Sequence, residues 1–447
     1  MKQVGGIVLA LGWIVAAVSA TADDWPSFAN DIGGSQYSPL AQLTPANVAG
    51  LERAWVHRSG DFIADSTSFQ VTPIHANGLL YYCTPMNRVF ALDPVTGQER
   101  WVYDPHTAQP PADKPVTDEE RRPSTCRGVA YWASDDAGAC ARRIFKAAGN
   151  GHVYAIDADS GRACEDFGAG KGHPGYVSQF DYEAYGDGFR GTGSPPLVVG
   201  DVLVAASGAN DGLTNAADGV VRGFDVRSGE LLWTFNPIPD GLRDKTGAAN
   251  VWTTMSGDAE NGLVFLPTTS PSTDYYGGGR LFDIPLSDAV VALNALTGEV
   301  NWSFQTVRHD LFDYDLPGHA LLVTIQKDGE ARDVAIQQTK MGYLYVFDRI
   351  TGEPIFPIEE MPAPASDLPD EVAAPSQPIS PGIAAFSGQT LSRDVMFGIT
   401  PLDRAWCRAR FDELRYDGMY TPPSTQGTLL FPSALGGGNW GGAAFDA

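Results

Sequence analysis

The chain has 447 residues, enough for about three domains of ~150 residues unless one repetitive architecture takes them all. Apolar residues make up 43% and charged residues 19%, which excludes disorder for most of the chain, and 50 Gly with 32 Pro favour short strands and tight turns over helical bundles. A net charge of -24 repels phosphate backbones and anionic surfaces, so nucleic acid is excluded as a partner.

In chain order, the first residues combine Lys2, an apolar run from Ile7 to Val18 and the small-residue site Val18-Ser19-Ala20. That is the layout of a secretory signal over residues 1–20, with cleavage expected after Ala20 and the periplasm as destination. An uncleaved anchor is the alternative, although the run is short for a membrane span. No later stretch reaches the ~18 apolar residues of a spanning helix, so residues 21–447 are expected to be soluble. Five cysteines, Cys83, Cys126, Cys140, Cys164 and Cys407, are too few for a disulfide scaffold but allow one or two bridges in an oxidising compartment. With no CxxCH, a covalent c-type haem is excluded on this chain.

A repeat follows. Ala91-Leu92-Asp93 to Gly97 with Trp101, Gly223-Phe224-Asp225 to Gly229 with Trp233, and Ala292-Leu293-Asn294 to Gly298 with Trp302 share one pattern: a small residue, an apolar residue, Asp or Asn, a Ser/Thr-Gly turn, then Trp four residues on. Weaker copies run from Ala155 to Gly161, with Cys164 near the tryptophan place, and from Val346 to Gly352, with Phe356. Apolar residues before the Asp suit a buried strand, the Asp closes an Asx turn, and Gly accepts a positive φ. The intervals hold four strands and their loops. The fold class expected is therefore all-β, a β-propeller of four-stranded blades.

After Gly352 come a Pro-rich insertion from Pro354 to Pro381 and a strand-like run from Gly427 to Pro432, with no sixth Asp-turn. About five and a half blades are present on this reading. Leu51 to Val56 reads as an outer strand lacking its own blade, available to complete the last one and cover an open edge.

Chemistry concentrates between the fourth and fifth repeats, where His309-Asp310-Leu311-Phe312-Asp313-Tyr314-Asp315 lies on an expected loop. If that segment is extended, Asp313 and Asp315 share one side, where two carboxylates repel or hold a hard cation. A solvated acidic loop is the bland alternative. Lys340 precedes the apolar run Tyr343 to Phe347 and can polarise a carbonyl or anion. Trp252 falls outside the repeated tryptophan place, free to be a platform for a planar ligand or an ordinary core residue.

Together with Asp24-Trp25-Pro26, Tyr37-Ser38-Pro39-Leu40, Cys126-Arg127-Gly128-Val129 and Tyr420 to Ser424, these motifs resemble the quinoprotein dehydrogenases that use pyrroloquinoline quinone (PQQ), nearest the membrane-bound glucose dehydrogenase type. The resemblance implies an eight-bladed propeller, so this chain reads as a C-terminally shortened member. It implies PQQ with Ca²⁺ or Mg²⁺, a sugar or alcohol substrate, and a respiratory quinone or cytochrome as electron acceptor. Asp313 would be the catalytic base, taking the hydroxyl proton while hydride passes to the quinone. Gln70, where a Glu is usual, Arg127, Trp252, Lys340, Asn439 and Trp440 would contact the cofactor. Asn210, Ser270, Asp313 and Asp315 would surround the metal. Two other readings stay open: a non-catalytic periplasmic propeller scaffold, and an inactive fragment of the dehydrogenase.

Overall fold

The computed structural model describes residues 24–108, 124–183 and 186–446; the expected leader at residues 1–20 lies outside them. Strands form consecutive antiparallel meanders. Blade 1 comprises Ile74–Ala76, Leu79–Cys83, Val89–Leu92 and Glu99–Tyr103, and blade 2 comprises Ala130–Ala133, Arg142–Ala147, His152–Asp157 and Tyr176–Ser178. Blade 3 runs through Leu197–Val199, Val202–Gly208, Val221–Asp225 and Leu231–Phe235, with Arg190–Gly191 added beside its second strand. Blade 4 is Ser256–Asp258, Leu263–Pro267, Ala289–Asn294 and Val300–Gln305. A fifth sheet has three strands, Leu321–Lys327, Glu330–Gln338 and Leu344–Asp348, and a last hairpin pairs Glu359–Pro362 with Ser376–Ile379. The expected propeller blades are present.

Each part of the repeat has a mechanical role. Ala91, Gly223 and Ala292 stand opposite Trp101, Trp233 and Trp302, and a bulge follows each of these small residues. The bulge turns the fourth strand so that its indole reaches the next blade. Trp101 Nε1 donates to Ala158 O (2.9 Å), Trp233 Nε1 to Ala295 O (2.8 Å) and Trp302 Nε1 to Arg349 O (3.1 Å). Each ring lies on the glycine of the neighbouring turn: a Cβ added at Gly161, Gly298 or Gly352 would stand 2.7, 2.6 or 2.5 Å from it, and all three have positive φ. Glycine is needed there for conformation and for clearance.

Blade 2 lacks the tryptophan. Cys164 is instead bonded to Cys140, and Phe167 with Val177 covers the Gly229 turn. A second disulfide, Cys83–Cys126, ties blade 1 to the segment entering blade 2, while Cys407 is free. Apolar clusters fill the space between successive sheets, as where Val204, Val221 and Trp233 meet Val264 and Val291.

Three expectations change. Leu51 to Val56 pairs with no strand among the described residues and so does not complete the last sheet, yet its Trp55 takes the outer-strand tryptophan place against blade 1, lying on Gly97 and donating from Nε1 to Pro94 O (3.1 Å). The Pro-rich insertion contains the last hairpin, since its prolines sit at strand ends or on a two-stranded edge. Gly427 to Pro432 makes a single bridge, Arg415 with Thr428, rather than a strand. Ahead of it stands an α-helix, Pro401–Glu413, capped by Thr400, whose hydroxyl accepts from Asp403 N while the Asp403 carboxylate accepts from Thr400 N. The Thr-Pro-x-Asp start signal was available in the sequence.

Segment Trp25 to Gln36 runs along the inner strands. Trp25 pairs with His75, Ile32 O accepts from Gly257 N (2.7 Å) and Gly33 O accepts from Leu322 N (2.8 Å). It thereby bonds to blades 1, 4 and 5.

Trp233→Ala should cost about 3–5 kcal/mol in urea unfolding, and Gly298→Ala should destabilise the same contact from its other side. Val95→Ala, at a residue 79% exposed, should stay within about 0.5 kcal/mol. An unchanged midpoint for both contact variants would show that blade packing does not rely on the indole.

Candidate functional site

In an antiparallel meander the loop between strands two and three emerges on the same face as the connection between blades. Arg127, Trp252, Asp313 and Asp315 lie on between-blade connections, whereas Asn210, Ser270 and Lys340 lie on second-to-third-strand loops. Residues far apart in sequence are thus delivered to one face.

Lys340 is the centre. Its buried ammonium donates to Asp313 Oδ1 (2.9 Å) and Asp313 O (2.7 Å) and also pairs with Asp315. The Asp pair converges by a route other than the expected extended segment: Asp313 has φ +59, a left-handed turn. Asp315 in turn accepts from Trp252 Nε1 (2.6 Å), and Asp313 Oδ2 accepts from the Tyr275 hydroxyl (3.0 Å).

Trp252 is held by its carbonyl, which accepts from Ser194 Oγ (2.7 Å), Thr192 Oγ1 (3.1 Å) and Arg127 (3.3 Å). The Arg127 guanidinium lies 5.0 Å from the Trp252 ring and 5.3 Å from that of Trp440. Among the described residues it has no carboxylate partner, and its Nε is buried without one. Burial pulls its pKa down to about 10. Asn439 O accepts from Gln338 (2.9 Å), fixing the stretch that carries Trp440.

Two expected residues stand apart. Gln70 donates to Ser68 Oγ (3.0 Å), and its segment bridges to Cys126 beside Arg127. Asn210 is exposed, and among the described residues neither it nor Gln70 bonds to Asp313 or Asp315. Ser270 is engaged elsewhere: its hydroxyl joins Asp288 Oδ1 (2.9 Å) to Asp310 Oδ2. One hydroxyl hydrogen serves one carboxylate, so one of these buried acids is protonated and donates to Ser270. Burial raises the pKa of both.

The sequence reading left out Asp310, Asp274 and Tyr275. Asp310 accepts from Phe312 N (3.0 Å) and Tyr314 N (2.8 Å), holding the loop that presents Asp313. Its position three before Asp313, ahead of two apolar residues, was a turn signal. Burial, then Asp211 and Asp313, pushes Asp274 up to about 8. Burial and then Asp315 raise Asp313 to about 7 against the opposing pull of Lys340. Burial disfavours the Lys340 ammonium, but the two carboxylates outweigh it and hold its pKa above normal.

The residues around Arg127 fit the cofactor implied by the resemblance, while the cation finds a partial donor set. A half-buried guanidinium without an anion among the described residues, set against two indole faces, suits a planar polyanion. Asp313 and Asp315 offer oxygen donors of the kind Ca²⁺ or Mg²⁺ takes, here spanned by the Lys340 ammonium; among the described residues no third carboxylate or imidazole converges with them.

Residues 25–447 match the PQQ family described as glucose/ethanol/alcohol dehydrogenase, β-propeller domain. The quinoprotein glucose dehydrogenase of Escherichia coli (strain K12) is 37% identical, over 100% of this chain and 57% of its own. The glycerol dehydrogenase large subunit of Gluconobacter thailandicus is 33% identical, over 95% of this chain and 58% of its own. The chain thus spans a little over half the length of the curated relatives it matches. The quinohemoprotein alcohol dehydrogenase from Comamonas testosteroni superposes with a TM-score of 0.60 at 22% identity, covering 80% of this chain and 52% of that one, a likeness of fold.

Asp274 binds its proton more tightly than an unfolded Asp, so between about pH 4 and 8 the native state holds the extra proton and stability falls as pH rises. Asp274→Asn should raise the melting temperature of the cofactor-free chain at pH 8 and flatten its decline from pH 5. An identical pH profile in wild type and variant would remove Asp274 from the acidic cluster.

Proposed function

Because the chain belongs to the PQQ-dependent glucose/ethanol/alcohol dehydrogenase β-propeller family, we propose that it binds PQQ with Ca²⁺ or Mg²⁺ and dehydrogenates a sugar or polyol hydroxyl in the periplasm. The observation that carries this reading is Arg127, a guanidinium with no anionic partner among the described residues, beside the Lys340, Asp313 and Asp315 cluster and joined to it through Trp252.

Arg127 would receive cofactor carboxylates while Trp252 and Trp440 offer flat apolar faces; Asn439 keeps Trp440 in place. Bound PQQ supplies the two-electron acceptor for the hydride leaving the substrate carbon, and the cation supplies Lewis acidity. Asp313 takes the substrate hydroxyl proton. In the cation-free chain burial and Asp315 raise Asp313 to about 7; a bound cation beside it would hold more of it ionised, the form a general base needs. Lys340 keeps its charge and steadies negative charge developing beside it. Tyr275 donates to the outer oxygen of Asp313 and orients it for the incoming hydroxyl. The expected leader supports export, and electrons would pass on to a respiratory quinone or cytochrome.

Titrating the folded chain with PQQ in the presence of Ca²⁺ or Mg²⁺ should give saturable quenching of tryptophan fluorescence. Arg127→Gln should weaken binding about tenfold or more, a loss near 1.4 kcal/mol. Asp313→Asn should bind the cofactor yet abolish dye reduction with sugars and polyols. A folded protein that shows no saturable quenching would favour the scaffold reading, and turnover retained by Asp313→Asn would remove that residue from the role of base.

A further inference from the structure

His319 lies four residues beyond Asp315, at the entrance to the first strand of the fifth sheet, and is only 2% exposed. It takes no part in the chemistry proposed above. Its two nitrogens have different partners: Nδ1 lies 2.8 Å from Thr254 Oγ1 and Nε2 lies 3.3 Å from Gly34 O. A carbonyl only accepts, so Nε2 carries the hydrogen; the Thr254 hydroxyl then donates to Nδ1. This arrangement selects one neutral tautomer. Burial disfavours the imidazolium, in agreement with that assignment.

The partners belong to segments that hold the candidate site. Thr254 is two residues from Trp252. Gly442 is two residues from Trp440, and a Cβ there would stand 2.8 Å from the imidazole Cε1. Gly34 belongs to the axial N-terminal segment, has φ +85, and leaves no room for a Cβ against the ring. The same N-terminal segment reaches the C-terminal stretch, where Ser35 O accepts from Phe445 N (3.0 Å) and Gln36 Nε2 donates to Gly441 O (2.6 Å). One imidazole therefore touches the connection bearing Trp252, the loop bearing Asp315, the stretch bearing Trp440 and the axial segment.

We propose that His319 is a positioning residue that fixes Trp252, Asp315 and Trp440 relative to one another by pinning their segments to Gly34, making the N-terminal segment Trp25 to Gln36 a working part of the cofactor site. Trp252 and Trp440 flank Arg127 from segments that pair in no common sheet among the described residues; Gln338 and Lys340 hold the stretch of Trp440, and a further anchor common to it, the Trp252 connection and Gly34 completes the arrangement. His319 supplies it through two directional bonds and a close-packed ring.

The proposal rests on the PQQ reading only in its binding arm, and the test separates the two. His319→Leu, His319→Gln and Gly34→Ala would each be titrated with PQQ and Ca²⁺ by tryptophan fluorescence, well below the melting temperature of each variant. Hydrogen–deuterium exchange would be followed in the metal-free, cofactor-free chain at Gly257, Leu322 and Phe445, whose amides donate to Ile32, Gly33 and Ser35, with the blade 2 strand Arg142–Ala147 as reference. His319→Leu should weaken PQQ binding tenfold or more and speed exchange at the three reporter amides while the reference strand stays protected. His319→Gln, whose amide can donate to Gly34 O and accept from Thr254, should bind within threefold of wild type. Gly34→Ala should reproduce the leucine phenotype by pushing on the ring, and it serves as the deciding variant if His319→Leu does not fold. Wild-type PQQ affinity with unchanged exchange in His319→Leu would overturn the proposal, as would loss of binding in His319→Gln equal to that in His319→Leu. If wild type itself binds no PQQ, the cofactor reading fails and the exchange result alone decides whether His319 pins these segments.

Discussion

The indoles of Trp101, Trp233 and Trp302 lie across glycines of the next blade's turn, so close that a Cβ would fall 2.5 to 2.7 Å from the ring. Because each indole also donates to a carbonyl in that turn, the contact fixes both the spacing and the rotation between adjacent sheets. The apolar clusters between sheets contribute most of the burial, but such burial is non-directional and would tolerate sliding. The directional indole bond removes that freedom. Where the tryptophan is missing, in blade 2, a disulfide and the packed side chains of Phe167 and Val177 occupy the same junction.

Fixed blade geometry allows charges to be gathered where solvent would otherwise separate them. Asp274, Asp288, Asp310, Asp313 and Asp315 influence one another, with two cations nearby: Lys340, and Arg280, whose guanidinium donates to the Asp310 carbonyl. In a buried setting such a cluster is costly unless protons, cations or hydrogen bonds offset it. Three remedies are visible: Ser270 bridges a pair of acids of which one is protonated, Lys340 spans Asp313 and Asp315, and upward pKa shifts let Asp274 and, in part, Asp313 hold protons near neutral pH. Under the proposed function a divalent cation would be a further remedy of the same kind, and the same crowding raises the proton affinity of Asp313.

The repeat was legible because each of its residues answers a local need: a small residue opposite an indole, an Asx turn, a glycine at positive φ. Arg127, Trp252, Lys340, Asp313, Asp315 and Trp440 were legible as motif residues, and the fold brings them into one cluster. The C-terminal region was misread. Proline density masked the strands Glu359–Pro362 and Ser376–Ile379, and an apolar run after Gly427 resembled a strand although it meets no sheet. The helix at Pro401–Glu413 was missed because its face is largely exposed, with Leu402 and Trp406 outward, so no amphipathic period marked it.

The sequence by itself determined the blade repeat and its all-β class, since these follow from short-range sterics and from a pattern repeated along the chain. It also determined which residue types could do chemistry. Only the tertiary structure decided which carboxylates share Lys340, why Ser270 is committed to Asp288 and Asp310, and how His319 meets Gly34 across most of the chain. Such pairings depend on which loops a meander delivers to one face and on how closely neighbouring sheets approach. Local composition carries no record of either distance.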